Sequence, residues 1–187
     1  TKLGLNFKKI FEKDITKNYF FLFGNRVYVD ISSDYYKHLC NKNFYYKNLK
    51  FKKVKKSNLD IWLRNFKNAS FLLEKVWPSL KDNFQFIQYV FPIGDNIKDK
   101  SNQSYSMSDD IFFGGYSTSF MNIEETSETM VHEYSHNLLE IFLDDLKLIK
   151  SKRISKPIYF SPFRKDARPI KGIIHAFYSF TNVCYFY

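Results

Sequence analysis

His132-Glu133-Tyr134-Ser135-His136 is the stretch of this chain whose residue types and spacing point most directly to chemistry. Two histidines four residues apart share one face of a helix, separated by a rise of ~6 Å, so one metal ion can bridge their imidazoles. Glu133 stands beside the first of them, placed to act as general base on a water or to hydrogen-bond a ligand. The pentapeptide alone is not decisive, because two histidines on an apolar helix also occur as satisfied core residues. Histidine economy favours the metal: the chain holds 4 histidines, and two form the motif. His38 sits apart in a basic region and reads as a surface residue.

The third ligand decides which chemistry follows. A metzincin pattern would continue with Gly and then His, but Leu139 and Phe142 occupy those positions. A thermolysin-like site would take a later Glu; none follows Glu140, which is too close on the same helix. Asp166 lies in Lys165-Asp166-Ala167, which reads as a turn. That leaves His175. Pro169 suits a first helical position, and Ile170, Ile173, Ile174 and Phe177 give the helix after it an apolar side. Gly172, Ala176 and Ser179 put small residues near His175, which would let this helix approach the motif helix closely. A buried structural His175 is the alternative. Three neutral imidazoles suit zinc or ferrous iron, and composition does not choose between them.

Long elements must carry these groups. Glu124, Glu125 and Glu128 precede an apolar-periodic run through Met130, Val131, Tyr134, Leu138, Leu139, Phe142 and Leu146, and Lys147, Lys150 and Lys152 follow it. Acidic residues suit the positive end of a helix dipole and cations the other, so the pattern predicts one helix over 124–148. Upstream, Ser57-Asn58 opens a second amphipathic helix in which Ile61, Trp62, Phe66, Ala69, Leu72, Leu73 and Val76 recur before Trp77-Pro78. A short helix follows Pro78. Val27–Ile31, Phe84–Pro92 and Ile111–Met121 read as strands, with Gly114-Gly115 marking a bulge or a close backbone approach. Gly94–Asp110 is polar and Ser-rich, which predicts an exposed loop. The expected class is α+β and mainly helical: a zincin-like motif helix packed on a small sheet, with a second helix over 169–180 crossing it and carrying the third His. Residues 1–56 form a basic, aromatic-rich N-terminal segment and 57–187 the H-E-x-x-H metal-site domain. A start at Thr1 without Met and a stop in an aromatic stretch at Tyr187 predict a fragment, truncated at its C-terminus.

Composition narrows the setting. At 187 residues, 44% hydrophobic and 20% aromatic, the chain fits one domain with a sizeable core, which excludes wholesale disorder. No apolar run reaches the ~20 residues of a membrane helix, and Tyr19-Phe-Phe-Leu-Phe23 is too short for a signal-peptide core, so no membrane is expected as partner. Cys40 and Cys184 make no disulfide framework, and the expected compartment is the cytoplasm. The net charge of +10, with lysines crowded from Lys42 to Lys56 among Phe44, Tyr45, Tyr46 and Phe51, invites a nucleic-acid reading. A genome poor in G and C produces the same profile, rich in Lys, Asn, Ile, Phe and Tyr with Ala only at 69, 167 and 176. No nucleic-acid motif accompanies the charge, so nucleic acid is not expected as a partner; a basic surface equally attracts an acidic peptide.

The stretch Ser161-Pro-Phe-Arg-Lys-Asp-Ala-Arg-Pro-Ile-Lys-Gly-Ile-Ile-His-Ala-Phe-Tyr178 closely resembles the second signature of the HExxH-containing peptide-modification proteins. These are described as 2-oxoglutarate-dependent HExxH-type peptide β-hydroxylases. Members pair a Val/Leu-His-Glu-x-x-His helix with a later Ser-Pro-x-Arg…Arg-Pro-x-x-Gly-x-x-His-Ala segment, as here at Val131–His136 and Ser161–Ala176. Trp77-Pro78, a strand and then Ile111-Phe-Phe are also similar to the family's order before the motif helix. The match covers roughly 110 to 180 and does not reach residues 1–56. It implies Fe(II) held by His132, His136 and His175, with 2-oxoglutarate and O2 completing the site. It implies hydroxylation at the β-carbon of a residue in a ribosomally synthesised precursor peptide, with Glu133 in a supporting place. The keto acid's distal carboxylate needs a cationic anchor, and a guanidinium offers it two parallel hydrogen bonds. Arg164 and Arg168 are the candidates in the matched segment. Arg168, directly before the His175 helix and near its positive end, is the better placed; Arg164 equally reads as a loop brace. Two other classes stay open: a zinc-dependent peptidase with Glu133 as general base, and a non-catalytic scaffold that binds a peptide along the Ile111–Met121 strand.

Overall fold

A stripe of apolar residues at alternating three- and four-residue spacing builds the first long helix, α1 (Lys56–Val76). Leu59, Trp62, Phe66, Ala69 and Leu73 are all buried along it, and the Trp62 and Phe66 rings stack with centroids 3.9 Å apart. Ile61 and Leu72 flank the stripe half-buried, while Val76 is exposed. The computed structural model describes residues 19–29, 56–84, 87–92, 105–109, 113–118, 122–146, 156–162 and 164–187. The lysine-rich run from 42 to 55, His38 and Cys40 lie outside them. Pro78 has no N–H to continue a helix, so α1 gives way to a 3-10 turn (Pro78–Leu80) and a single helical turn, α2 (Lys81–Phe84).

Five strands form one mixed sheet: β1 (Tyr19–Leu22), β2 (Asn25–Val29), β3 (Ile87–Pro92), β4 (Tyr105–Asp109) and β5 (Phe113–Thr118), in the order β1-β2-β3-β5-β4. β2, β3 and β5 run parallel, and β1 and β4 close the two sides antiparallel. Between β1 and β2, Phe23 and Gly24 both have positive φ, 49° and 79°, the backbone of a type I′ hairpin turn. The Phe23 N–H donates to Glu74 Oε1 at 2.5 Å, which ties this hairpin to α1. Leu22, Phe23 and Val27 belong to the same hydrophobic cluster as Trp62, Phe66 and Tyr134. The proposed boundary at residue 56 is therefore crossed by both sheet and core.

Three strand expectations need correction. Residues 105–109, expected in an exposed loop, form β4; alternating Tyr-Ser-Met-Ser is read as loop by composition, yet pairing with β5 makes it a strand. The strand expected over 111–121 is β5, and it lies inside the sheet between β3 and β4. Both its edges are taken, so it cannot receive an added peptide strand; among the described residues β4, like β1 at the other end of the sheet, is paired on one side only. Beside the glycine pair the register slips: Ile87 faces Gly114 and Tyr89 faces Gly115, leaving Gln88 as the extra residue of a bulge. Lys165-Asp166-Ala167 is not a turn. It lies in β7 (Arg164–Arg168), antiparallel to β6 (Tyr159–Ser161), a solvated ribbon whose polar residues show no hydrophobic alternation.

The motif helix is α3 (Ile123–Leu146), close to the expected span. Asn122 caps it: Asn122 Oδ1 accepts from the Glu125 N–H at 2.8 Å and Glu125 Oε2 accepts from the Asn122 N–H at 3.4 Å. Its Met130, Val131 and Tyr134 are fully buried, for α1, α4 and the β4–β5 side of the sheet all pack on it. The last helix, α4 (Ile170–Phe186), runs beyond the expected end at 180, because Val183 and Phe186 continue its contact with the core. Pro169 is the extended residue before α4 (φ −66°, ψ 153°) rather than its first helical residue. The architecture is α+β and mainly helical.

Phe66 is 1% exposed, so Phe66→Ala should cost ~3–5 kcal/mol in urea unfolding. Asn122→Ala, which removes the cap of α3, should cost about 1 kcal/mol in the same measurement.

Candidate metal centre

His132, His136 and Glu140 recur every four residues along α3 and so line one face. α4 lies against that face. Lys171 pairs with Glu140, His175 meets both Glu140 and His136, Phe180 packs edge-on against His132, and Tyr187 donates to Glu128. Residue numbers rise along α4 as they fall along α3, so the helices run antiparallel rather than simply crossing. A second tie fixes the pair, with Asn182 Nδ2 donating to Ser135 Oγ at 2.8 Å.

The imidazoles form a row. His132 Nε2 lies 3.1 Å from His136 Nε2, and His136 Nδ1 lies 3.2 Å from His175 Nδ1. The row continues through His175 Nε2, 2.9 Å from Glu140 Oε2, and ends at Lys171, whose ammonium holds Glu140 Oε1. One neutral tautomer per ring satisfies every contact. Glu140 as carboxylate accepts from His175 Nε2–H, His175 Nδ1 accepts from His136 Nδ1–H, and His136 Nε2 accepts from His132 Nε2–H.

Electrostatics favour the neutral forms of His132 and His136. Burial lowers the His132 pKa, partly opposed by the Glu128 charge. Burial, with His132 and His175 alongside, brings His136 down to about 3, and the positive charge of Arg168 lowers it further against the pull of Glu140. For Glu140 burial alone would raise the carboxyl, but hydrogen bonds from His175 and Lys171 and the Lys171 charge hold it at about 2.

These groups fit a metal in part, provided His132 carries its proton on Nδ1 so that both Nε2 lone pairs are free. Two nitrogens on one ion with bonds near ~2.1 Å sit roughly 3–3.5 Å apart, the separation of the His132 and His136 Nε2 atoms. Ligation also needs the unprotonated imidazole that burial enforces. His175 is brought to the site but faces the other nitrogen of His136, so the three rings make a row and not a ring. Among the described residues no three His, Cys, Asp or Glu side chains surround one point. An ion shared by all three would require His136 and His175 to turn toward the Nε2 pair, a rotation of side chains with the helices in place.

The other expected residues fall as follows. Glu133 is buried at 3% exposure on α3, adjacent to His132. Arg168 ends β7 with its side chain 30% exposed and its Nε 3.8 Å from Asp166, and its charge reaches His136. Arg164 lies in β7 opposite Ser161. Gly172 does not bring the helices together: a Cβ there would touch only Pro169 and Arg168, at 3.7 Å or more. Ser179, fully buried, serves that close packing. Glu140 and Lys171 were not anticipated in the site, although helical spacing pointed to them, one four residues after His136 and the other four before His175. Cys184 is a free, exposed thiol, and no described helix is long and apolar enough to cross a membrane. No protein-family model matches this chain, and no curated protein is significantly similar to it.

The pKa shifts set the sign of a pH dependence. Above the ordinary histidine value of 6.5, His132 and His136 are neutral both folded and unfolded; below it the unfolded chain takes up protons while folded His136 waits until about 3, so stability falls with pH. Glu140 contributes stability above its ordinary 4.5 that is lost as pH falls toward about 2. Urea midpoints measured from pH 8 to 3 should begin to decline near 6.5, and His136→Gln should make the decline between 6.5 and 4.5 shallower, leaving the share of His132.

Proposed function

We propose that the chain binds one metal ion through His132 and His136, completed by His175, and acts as an Fe(II)- and 2-oxoglutarate-dependent hydroxylase. Its substrate in this reading is a ribosomally synthesised precursor peptide, hydroxylated at the β-carbon of one residue. The observation that carries the reading is the 3.2 Å contact between His136 and His175, which are 39 residues apart. At those rings the H-E-x-x-H helix meets the Ser161–Ala176 segment, the two halves of the paired signature that resembles the HExxH-type peptide β-hydroxylases.

Fe(II) with 2-oxoglutarate supplies the oxidising chemistry of such a site. The protein's own groups have narrower tasks. Three imidazoles would offer a bound ion their lone pairs and would leave further coordination positions open. Arg168, at the head of α4 and within electrostatic reach of His136, offers its guanidinium to the distal carboxylate of the keto acid. Glu133, excluded from water beside His132, supports the liganding face. A motif helix packed on a mixed sheet with an antiparallel outer strand, β4, is consistent with a zincin-like arrangement. The one-sided pairing of β4 supports an extended peptide as substrate, because such a strand can add along its other edge.

Buried Glu133 next to His132 favours one second reading, a zinc peptidase in which Glu133 is the general base. The two part in solution. With Fe(II), 2-oxoglutarate and the cognate peptide, the purified protein should add one oxygen to the peptide and form succinate, and His175→Ala should abolish succinate formation. Arg168→Ala should weaken 2-oxoglutarate binding by ~2–4 kcal/mol, read by calorimetry. Zinc-supported cleavage without 2-oxoglutarate would transfer the assignment to the peptidase.

A further inference from the structure

We propose that the outward face of the β6–β7 ribbon docks an extended, acidic segment of the peptide substrate, with apolar side chains set between its carboxylates. The proposal rests on the peptide-hydroxylase reading and adds what kind of sequence the substrate carries away from its reacting residue. Exposure alternates along β6 and the residue before it: Ile158 is 56% exposed, Tyr159 38%, Phe160 84% and Ser161 3%. In extended chain, successive side chains leave on opposite faces, so Ile158 and Phe160 share one face and Tyr159 and Ser161 the other. The inner face is satisfied, with Ser161 buried and Tyr159 opposite Arg168 across the ribbon. The outer face leaves two large apolar side chains together in water, with exposed Pro157 and Pro162 beside them. Single exposed apolar residues are ordinary on a surface; a cluster of them marks a place where something binds.

Charge fixes the occupant. Residues 156–168 hold Lys156, Arg164, Lys165 and Arg168 against a single acid, Asp166, and that acid lies 3.8 Å from Arg168. Lys156 and Lys165 are exposed and pair with no carboxylate among the described residues. A partner that covers Ile158 and Phe160 meets those ammonium groups, so it needs carboxylates beside its apolar groups, and a cationic one is repelled. Each strand of the ribbon is paired on one side only among the described residues, which leaves backbone for a further extended strand. Single-stranded nucleic acid fits less well, because its bases need rings stacked in succession and Tyr159 and Phe160 leave the strand on opposite faces. β7 runs through Pro169 directly into α4, so a segment held here is tethered to the element that carries His175.

The test is fluorescence anisotropy on the full chain with a labelled peptide of repeated Glu-Leu-Glu-Phe. The parent protein should bind this probe, should bind it less well in added salt, and should not bind repeated Lys-Leu-Lys-Phe. Phe160→Ser should weaken binding roughly tenfold and Lys165→Glu about two- to fivefold. Both residues lie in solvent, so urea midpoints should stay unchanged and report an intact fold. Lys67→Glu, at an exposed position of α1, makes the same change in net charge and should leave binding as it was. An acidic probe that does not bind, or equal losses in Lys165→Glu and Lys67→Glu, overturns the docking face. Tighter binding of oligo-U RNA or phosphatidylserine vesicles, lost in the ribbon variants, overturns the peptide as occupant. An unchanged KM for a cognate peptide hydroxylated by Phe160→Ser overturns the docking and leaves the hydroxylase standing. Probe binding that depends on Phe160 and Lys165, in a protein without 2-oxoglutarate turnover, overturns the hydroxylase and leaves the acidic-peptide face standing.

Discussion

A helix packed on several sides by α1, α4 and the sheet must satisfy its polar groups internally, and α3 carries many of them. Thr126, Ser127, Glu133, Ser135 and Asn137 are all buried on it. Its small polar side chains turn back onto their own backbone: Thr126 to the Asn122 carbonyl, Ser127 to that of Ile123, Ser135 to that of Val131 and Asn137 to that of Glu133. Such back-bonding supplies each donor with an acceptor inside the helix. Imidazoles cannot do the same, since their nitrogens stand too far from the helix backbone. They need partners from another element, and α4 supplies them. The antiparallel seating of α4 is thus what lets α3 be both buried and rich in histidine.

Burial and proximity act in the same direction here. His132 and His136 lose hydration, and His136 gains neighbours that would repel its charge, so both stay neutral. Glu140 sits at the one end where a negative charge is compensated, by Lys171 on the same face of α4 as His175. The row has a polarity, from His132 through two imidazole contacts to a carboxylate and an ammonium. That polarity comes from helical spacing on two facing surfaces and needs no irregular backbone.

What could be read in the sequence was what repeats at short range. The stripe of Trp62, Phe66, Ala69 and Leu73 and the run around Met130 and Tyr134 announced α1 and α3, because a helix face recurs every three or four residues. His175 was reachable by excluding other third partners. The strands were less legible. Arg164–Arg168 shows no apolar alternation, and the short alternation of Tyr105–Asp109 is hidden in a polar, Ser-rich stretch; what makes both strands is pairing with residues elsewhere in the chain. Position within the sheet was invisible for the same reason, and the strand taken as an edge proved internal. As a ligand, Glu140 is too near His136 on the same helix. That nearness is what places it behind His175, and a hydrogen-bond partner has to be sought with different spacing rules from a ligand.

The order β1-β2-β3-β5-β4 also says something about how the chain finds its fold. Beyond its local pairing with β1, β2 cannot pair on its other edge until β3 has returned beside it across α1, as the partnership of Tyr28 with Tyr89 requires. β5 must then insert beside β3 while β4, made before it, moves to the outside. Each parallel pairing closes a long loop before any contact rewards it, which slows folding relative to a helical bundle of equal size. The hairpin 19–29 waits longest with an open edge. Its Phe23 N–H bond to Glu74 gives it an anchor on α1 in the meantime, and a chain with that anchor broken would linger with adhesive strands exposed.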